Sequence, residues 1–178
     1  FQKKIGTVGD KTRRIASISK MIAEDLNLDP ATCARAAQLA KCDLLSQMVG
    51  EFPELQGLMG AHYARAGGET AAVAAAIGEH YQPRFAGDAI PASEAGQVVS
   101  LADRIDTLVG VFAAGLKPTG NKDPFALRRA ALGLMRILLE GRRQLTLDHL
   151  IALAVQALSA QLDVTDAVRA DVRSFIIE

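Results

Sequence analysis

Three histidines, His62, His80 and His149, are the first side chains to weigh for chemistry, because imidazole titrates near neutrality and ligates metals. They stand far apart. His62 and His80 each fall on an apolar helical face beside a tyrosine (Tyr63, Tyr81), as expected of core histidines bonded to a neighbour, and His149 falls in the first turn of a helix, at the surface. No Ser–His–Asp or Cys–His arrangement can be argued from such a set. Cys33 and Cys42 are too few for a zinc ribbon and read as buried thiols with no special role. The segment PTGNKDP (118–124) has a turn and a lysine, but not the glycine and Lys–Ser/Thr spacing of a phosphate loop.

The strongest signal for binding is basic. Lys117, Lys122, Arg128, Arg129 and Arg136 surround a predicted helix start, and Arg142 and Arg143 add charge at the other end. Neighbouring arginines offer forked donors suited to phosphate oxygens, and free N–H groups at a helix start favour an anion. The same arginines can instead pair with acidic residues, the usual fate of a charged helical face. A second basic cluster joins Lys3, Lys4, Lys11, Arg13 and Arg14. Only Tyr63, Tyr81, Phe85 and Phe125 are placed to stack on bases, so recognition of an RNA backbone or end shape is favoured over base reading.

The elements that must position these residues are helices. Leu101, Ile105, Leu108, Val109 and Phe112 recur at spacings of three and four, and Gly115 and Pro118 end that pattern. Asp123 as N-cap with Pro124 behind it opens the next helix. Earlier, Asp10 caps a helix to about Leu26, with Ile15, Ile18 and Ile22 inside. Asp29–Pro30 opens one that runs through Ala37, Leu44 and Met48 to Gly50. Pro53 opens another, with Leu55, Leu58, Met59, His62 and Tyr63 on one face, and an Ala-rich helix holds Val73, Ile77 and His80. A loop over 82–92 follows. Thr146 caps an apolar helix after the turn at Gly141, and Val168, Val172, Phe175 and Ile176 mark the last one. The expected class is all-α, about eight helices with no sheet, residues 1–9 serving as a linker and 10–178 as one domain.

The totals set limits. A chain of 178 residues can bury about 70% of its unfolded surface, so a core needs no disulfide or metal. The formal net charge is zero, so attraction to nucleic acid has to come from a local patch. No apolar run is long enough to cross a bilayer, and there is no signal peptide, which points to the cytoplasm. Phe1 in place of an initiator Met, and Glu178 within an apolar pattern, suggest a piece of a longer chain.

Four long segments carry a family resemblance: RAAQLAKCDLLSQMVGEFPELQGLMGAHYA, EHYQPRFAGDAIP, LADRIDTLVGVFAAG and GLKPTGNKDPFALRRAALGLMRIL. Together they resemble the β subunit of bacterial tetrameric glycyl-tRNA synthetase over nearly the whole chain. That family is several times longer, so the resemblance implies one internal domain, of the kind similar to the HD superfamily. HD phosphohydrolases bind a divalent metal through an early His, an adjacent His–Asp dyad and a late Asp, and the metal lowers the pKa of a bound water that attacks phosphate. Carried over by that resemblance, the early His falls at Lys11, the dyad on Ala40–Lys41, an intermediate His at His62 or His80, and the late Asp at Asp103. Shifting the dyad to Cys42–Asp43 recovers an Asp but no His. A lysine donates hydrogen bonds but repels a cation. The expectation is therefore no metal, with Lys41 or Lys11 in the ion's place and paired to Asp103, against the simpler possibility that both lysines reach solvent.

The resemblance implies a domain with no catalytic residue or cofactor of its own in an enzyme that uses ATP and Mg to join glycine to tRNA(Gly), the catalytic centre lying in the α chain. Its expected partners are tRNA(Gly), the α subunit and other β-subunit domains, with no membrane. The alternative is a metal-dependent HD phosphohydrolase acting on a nucleotide. A third possibility is a structural module docking through FPELQGLM (52–59).

Overall fold

The computed structural model describes residues 3–178, and Phe1 and Gln2, part of the predicted linker, lie outside it. Nine α-helices and no strand occur among the described residues: α1 (Val8–Asp25), α2 (Pro30–Leu39), α3 (Gln47–Glu51), α4 (Leu58–Ala66), α5 (Ala71–Glu79), α6 (Glu94–Ala113), α7 (Leu127–Glu140), α8 (Leu147–Leu158) and α9 (Asp166–Ile177). The all-α expectation holds. None of the described helices is long and apolar enough to cross a membrane.

Helix α6 is the axle. It packs against α1, α2, α5, α7, α8 and α9, and residues on every side of it are buried. A helix apolar all round belongs in a core, yet this one carries Gln97, Ser100, Asp103 and Asp106 at every third position. Steps of three wind that stripe round the helix, so that Gln97 meets Arg143 while Asp103 and Asp106 face α1. Ser93 starts α6 by accepting from Gly96 N, and Gly115, at φ 78°, ends it in a conformation that glycine adopts without strain.

Several boundaries differ from expectation for local reasons. Helix α1 begins at Val8, with Thr7 as N-cap. Asp10 completes a reciprocal capping box by accepting from Thr7 N at 2.7 Å. Within the predicted linker, Lys3–Ile5 form a 3-10 turn and Ile5 enters the core. The helix predicted over 30–50 stops at Leu39. A 3-10 turn (Cys42–Leu45) and α3 replace its second half, because Asp43 is turned inward to accept from Gly57 N and Gly60 N at the start of α4. Pro53–Leu55 is a separate 3-10 turn. Gly57 (φ 83°) then re-aims the chain, and an added Cβ there would lie 2.9 Å from the Tyr81 ring.

Helix α4 also presents a different face from the predicted one. Gly60, Ala61 and Ala64 point inward, since Gly60 lies so close to Ile77 that a Cβ would meet it at 2.9 Å. Leu58, His62 and Tyr63 are exposed, so His62 is not the core histidine expected. Cys33 is buried as predicted, whereas Cys42 is exposed.

Helix α7 begins at Leu127 rather than at Pro124. Ala126, at φ 53°, makes the turn, and the Asp123 carboxylate reaches forward to accept from Leu127 N at 2.8 Å and Arg128 N at 2.9 Å. Asp123 does cap the helix, from further back. The N–H groups expected to favour an anion are already occupied by this carboxylate.

Candidate functional site

Lys11 and Arg14 lie one turn apart on α1, beside Ile15 and Ile18 of its buried face. Asp103 and Asp106 lie one turn apart on α6. The matching three-residue spacing sets two cations against two carboxylates across the α1–α6 contact. Arg14 grips Asp106 with both arms, Nε to Oδ1 at 2.6 Å and Nη2 to Oδ2 at 3.1 Å, and donates to Ile5 O and Gln161 Oε1. Lys11 Nζ bridges the two acids, 2.9 Å from Asp103 Oδ1 and 3.1 Å from Asp106 Oδ2, and donates to Thr107 Oγ1.

Lys41, just past the end of α2, completes the group. Its Nζ lies 2.7 Å from Asp103 Oδ2 and 2.9 Å from His80 Nε2, with the Tyr81 ring centroid at 4.0 Å. Both ammonium groups therefore contact the Asp103 carboxylate. Neither lysine reaches solvent: Lys11 is 9% and Lys41 8% exposed. Ala40 beside them is fully buried.

Three cations face two carboxylates, and the protonation pattern follows. Burial works against the charge of Lys11, but Asp103 and Asp106 outweigh it and hold its pKa above the usual lysine value. Lys41 has one carboxylate partner and a cationic neighbour, so burial dominates and pushes it down. Asp103 would be raised by burial; Lys11 and Lys41 instead hold it well below the carboxylate range. Burial, with the nearby Lys41 charge, pushes His80 down to about 3. A neutral ring fits its contacts: Nδ1–H donates to Ile77 O at 2.6 Å, leaving the Nε2 lone pair to accept from Lys41.

This donor set does not fit a divalent ion. Each Asp103 oxygen and His80 Nε2 already faces an ammonium proton. No group of three or more His, Cys, Asp or Glu side chains capable of holding a metal occurs among the described residues.

The predicted basic surface divides. Lys11 and Arg14 are withdrawn from it, because both are buried in the ionic group. Arg13 is exposed and pairs with Asp10. Lys117 pairs with Asp171, and Arg136 holds Glu140 through Nε and Nη2 at 2.6 and 3.1 Å. Lys122, Arg128 and Arg129 are exposed with no acidic side chain within ion-pair distance among the described residues, Arg128 donating to Gly120 O. His149 sits at the surface as expected, against Asp25.

Two arginines that sequence reasoning passed over join this face. Arg84 leaves the loop after the cis Gln82–Pro83 bond, and Arg104 projects from α6. Arg104 donates to Ser100 Oγ and to the carbonyls of Tyr81 and Pro83, but to no carboxylate among the described residues. Burial lowers its pKa, with Asp103 pulling the other way. Its signal in the sequence was an arginine inside the apolar pattern of α6.

The family model described as "Glycyl-tRNA synthetase beta subunit" matches residues 1–178. The chain is 52% identical over 183 residues to a glycine–tRNA ligase β subunit of Xanthomonas campestris pv. campestris (strain B100), covering 100% of this chain and 26% of the relative. It is 47% identical over 176 residues to the corresponding subunit of Acinetobacter baumannii (strain ATCC 17978), covering 99% of this chain and again 26% of the relative. The chain thus spans about a quarter of the length of the curated relatives it matches.

Proposed function

The chain belongs to the family of glycyl-tRNA synthetase β subunits, and on that premise we propose that it is a non-catalytic, HD-like helical domain that supports ATP-dependent ligation of glycine to tRNA(Gly) in the cytoplasm. In this reading ATP and Mg act elsewhere in the assembled enzyme, and the domain serves as a frame meeting the α subunit and other β-subunit domains. The observation that carries the non-catalytic part is the ionic group. At the positions matched to the HD metal site, Asp103 is held by two ammonium groups at 2.9 and 2.7 Å. Ammonium groups offer no open coordination position and no activated water, so the donor set that weighs against a metal also weighs against a phosphohydrolase.

The domain's contribution to tRNA binding is a backbone contact through Lys122, Arg128 and Arg129. Their support is exposure without an acidic partner, on a helix flank where forked guanidinium donors can meet phosphate oxygens. Arg136 and Lys117 border the patch with their charges already paired. A titration of tRNA with the chain tests this over a range of salt. Arg128→Glu with Arg129→Glu is expected to weaken binding about tenfold or more and to reduce the salt slope by roughly 2, since each duplex phosphate contact contributes about 0.9. An unchanged dissociation constant at low salt refutes the contact.

A further inference from the structure

Two clefts lie beside this basic face and join. One, of about 480 Å3, is lined by Arg84, Arg104, Arg129, Tyr81, Pro83 and Phe125. Through the shared Pro83, Arg84 and Arg129 it continues into a second, of about 340 Å3, walled by Phe85, Arg128 and Arg136. Their composition is uneven in a telling way. Arg84, Arg104 and Arg129 make no ion pair with a carboxylate among the described residues. The acids bordering the first cleft are Glu54, exposed at its edge, and Asp103, whose charge is answered by Lys11 and Lys41.

Arg104 is the most informative of the three. It is half-buried between α6 and α7, its guanidinium held by Ser100 Oγ and the carbonyls of Tyr81, Pro83 and Arg129, with no carboxylate contact among the described residues to answer its charge. The fold makes room for it deliberately: a Cβ on Gly133 would lie 2.5 Å from Arg104 Nη1. Each cleft also presents an exposed ring at its side, Phe125 at 37% and Phe85 at 64% exposure. Unpaired cations along a groove with aromatic rings beside it are what single-stranded nucleic acid requires, whereas a duplex keeps its bases stacked and presents only its outer backbone.

We propose that this groove holds a short unpaired stretch of RNA, with one nucleotide seated in the cleft of Arg84, Arg104 and Arg129 and its base stacked on Phe125. The inference rests on the RNA-contact reading above and adds what that reading lacks, a site for an unstacked base. The first cleft lies in the range of about 300–1,000 Å3 typical of small-ligand sites, enough for one nucleotide and too small for a base pair within a helix. The second cleft continues the track toward Phe85 for the neighbouring nucleotide.

The test uses the chain and a fluorescein-labelled eight-nucleotide single-stranded RNA, followed by anisotropy, beside an RNA hairpin of equal length and a tRNA transcript. The single strand is expected to bind more tightly than the hairpin. Phe125→Leu is expected to weaken it about fivefold or more, the range for one base–aromatic stack. An abasic substitution at the seated nucleotide, found by scanning the eight positions, should cost the wild-type chain the same factor and cost Phe125→Leu nothing further. That scan needs no variant, so it stands even if the substitution perturbs folding. Gly133→Ala, which displaces Arg104, is expected to weaken the single strand while leaving its abasic pattern in place.

An abasic scan with no sensitive position, or a hairpin bound as tightly as the single strand, overturns the proposal. If tRNA still binds and responds to Arg128→Glu with Arg129→Glu, only the unpaired-nucleotide site falls. If no RNA binds, the backbone contact falls with it.

Discussion

Replacing Asp103 by asparagine keeps the shape of the side chain and removes the charge between Lys11 and Lys41. No cavity opens, so the loss of stability reports the missing charge together with the acceptor oxygen that the amide NH2 replaces. In the wild-type protein the carboxylate is 2.9 Å from Lys11 Nζ and 2.7 Å from Lys41 Nζ, and its side chain is 14% exposed. Removing one partner of a buried ion pair typically costs about 3–5 kcal/mol, because the other charge is left without an answer. Lys11 keeps Asp106, which limits its share, whereas Lys41 keeps only His80 and the Tyr81 ring. The expected loss for Asp103→Asn is therefore about 3 kcal/mol, or roughly 6–12 °C in melting temperature for a domain of this size. Urea unfolding at pH 7.5 measures it. The m-value should be unchanged and the loss insensitive to added salt, since the pair is shielded from solvent ions. Pairing Asp103→Leu with Lys41→Met should recover part of the loss, because an apolar pair of similar volume leaves no charge stranded. A loss below about 1 kcal/mol, the value of an exposed pair, would refute the account of Asp103 as the centre of the group.

Acid should weaken the fold through His80. Its folded pKa, about 3, lies below the ordinary 6.5, so the unfolded chain takes up a proton first as pH falls. Stability then drops through the window between those two values at up to about 1.4 kcal/mol per pH unit, or about 2 kcal/mol from pH 6.5 to 5. Asp103, also depressed, adds its own loss only below 3.8. His80→Gln should flatten the profile above pH 5, as denaturant unfolding at several pH values will show; an unaltered slope rejects the assignment. Thiol titration should find Cys42 in the native protein and Cys33 only after unfolding, because Cys33 is buried and its pKa is pushed up to about 11. Two native thiols of equal rate would contradict the packing of α2.

The helical class and most helix cores were legible because they depend on apolar spacing, which a sequence displays directly. The pattern Leu101, Ile105, Leu108 and Phe112 marks α6, and Thr146 marks the start of α8. The starts of α1 and α7 moved by a few residues through local caps, and the break before α3 was hidden because a side chain distant in sequence sets it. Asp43 caps α4 from 14 residues away, and no local pattern around Pro53 announces that. The face of α4 was misjudged because size, not polarity, decides it. Glycine and alanine face inward where Ile77 leaves no space, and Leu58 is left outside.

The candidate site shows the same division. A pairing of Lys41 or Lys11 with Asp103 was expected through the family resemblance, which placed three distant positions in one site, and both lysines make it. Asp106 and Arg104 were passed over and Arg14 was read as part of a basic cluster, although each is a charged residue within an apolar helical pattern. Such residues are costly to bury unless something answers their charge, so they were the visible sign of an ionic group. Arg14 was assigned instead to an exposed basic cluster because its neighbours Arg13 and Lys11 are also basic. Charge counted along a sequence cannot separate one side of α1 from the other when i and i+3 point inward.

The two lysines together bring the charge of one divalent ion to Asp103, and they are not equivalent in how they hold it. Lys11 lies between two carboxylates, which hold its pKa up against burial; burial, beside a cationic neighbour and a single carboxylate partner, lowers that of Lys41. The first is a fixed counter-charge for α6, the second a donor whose remaining partners are a neutral imidazole and a ring face. A metal in such a centre would have to displace three hydrogen bonds and leave two ammonium groups beside it. The arrangement thus ties α1, the end of α2, α5 and α6 to one carboxylate and offers an incoming ion no donor. Arg104, the next residue after Asp103, stands outside this group, bonded to Ser100 and to the carbonyls of Tyr81 and Pro83 at the cleft wall.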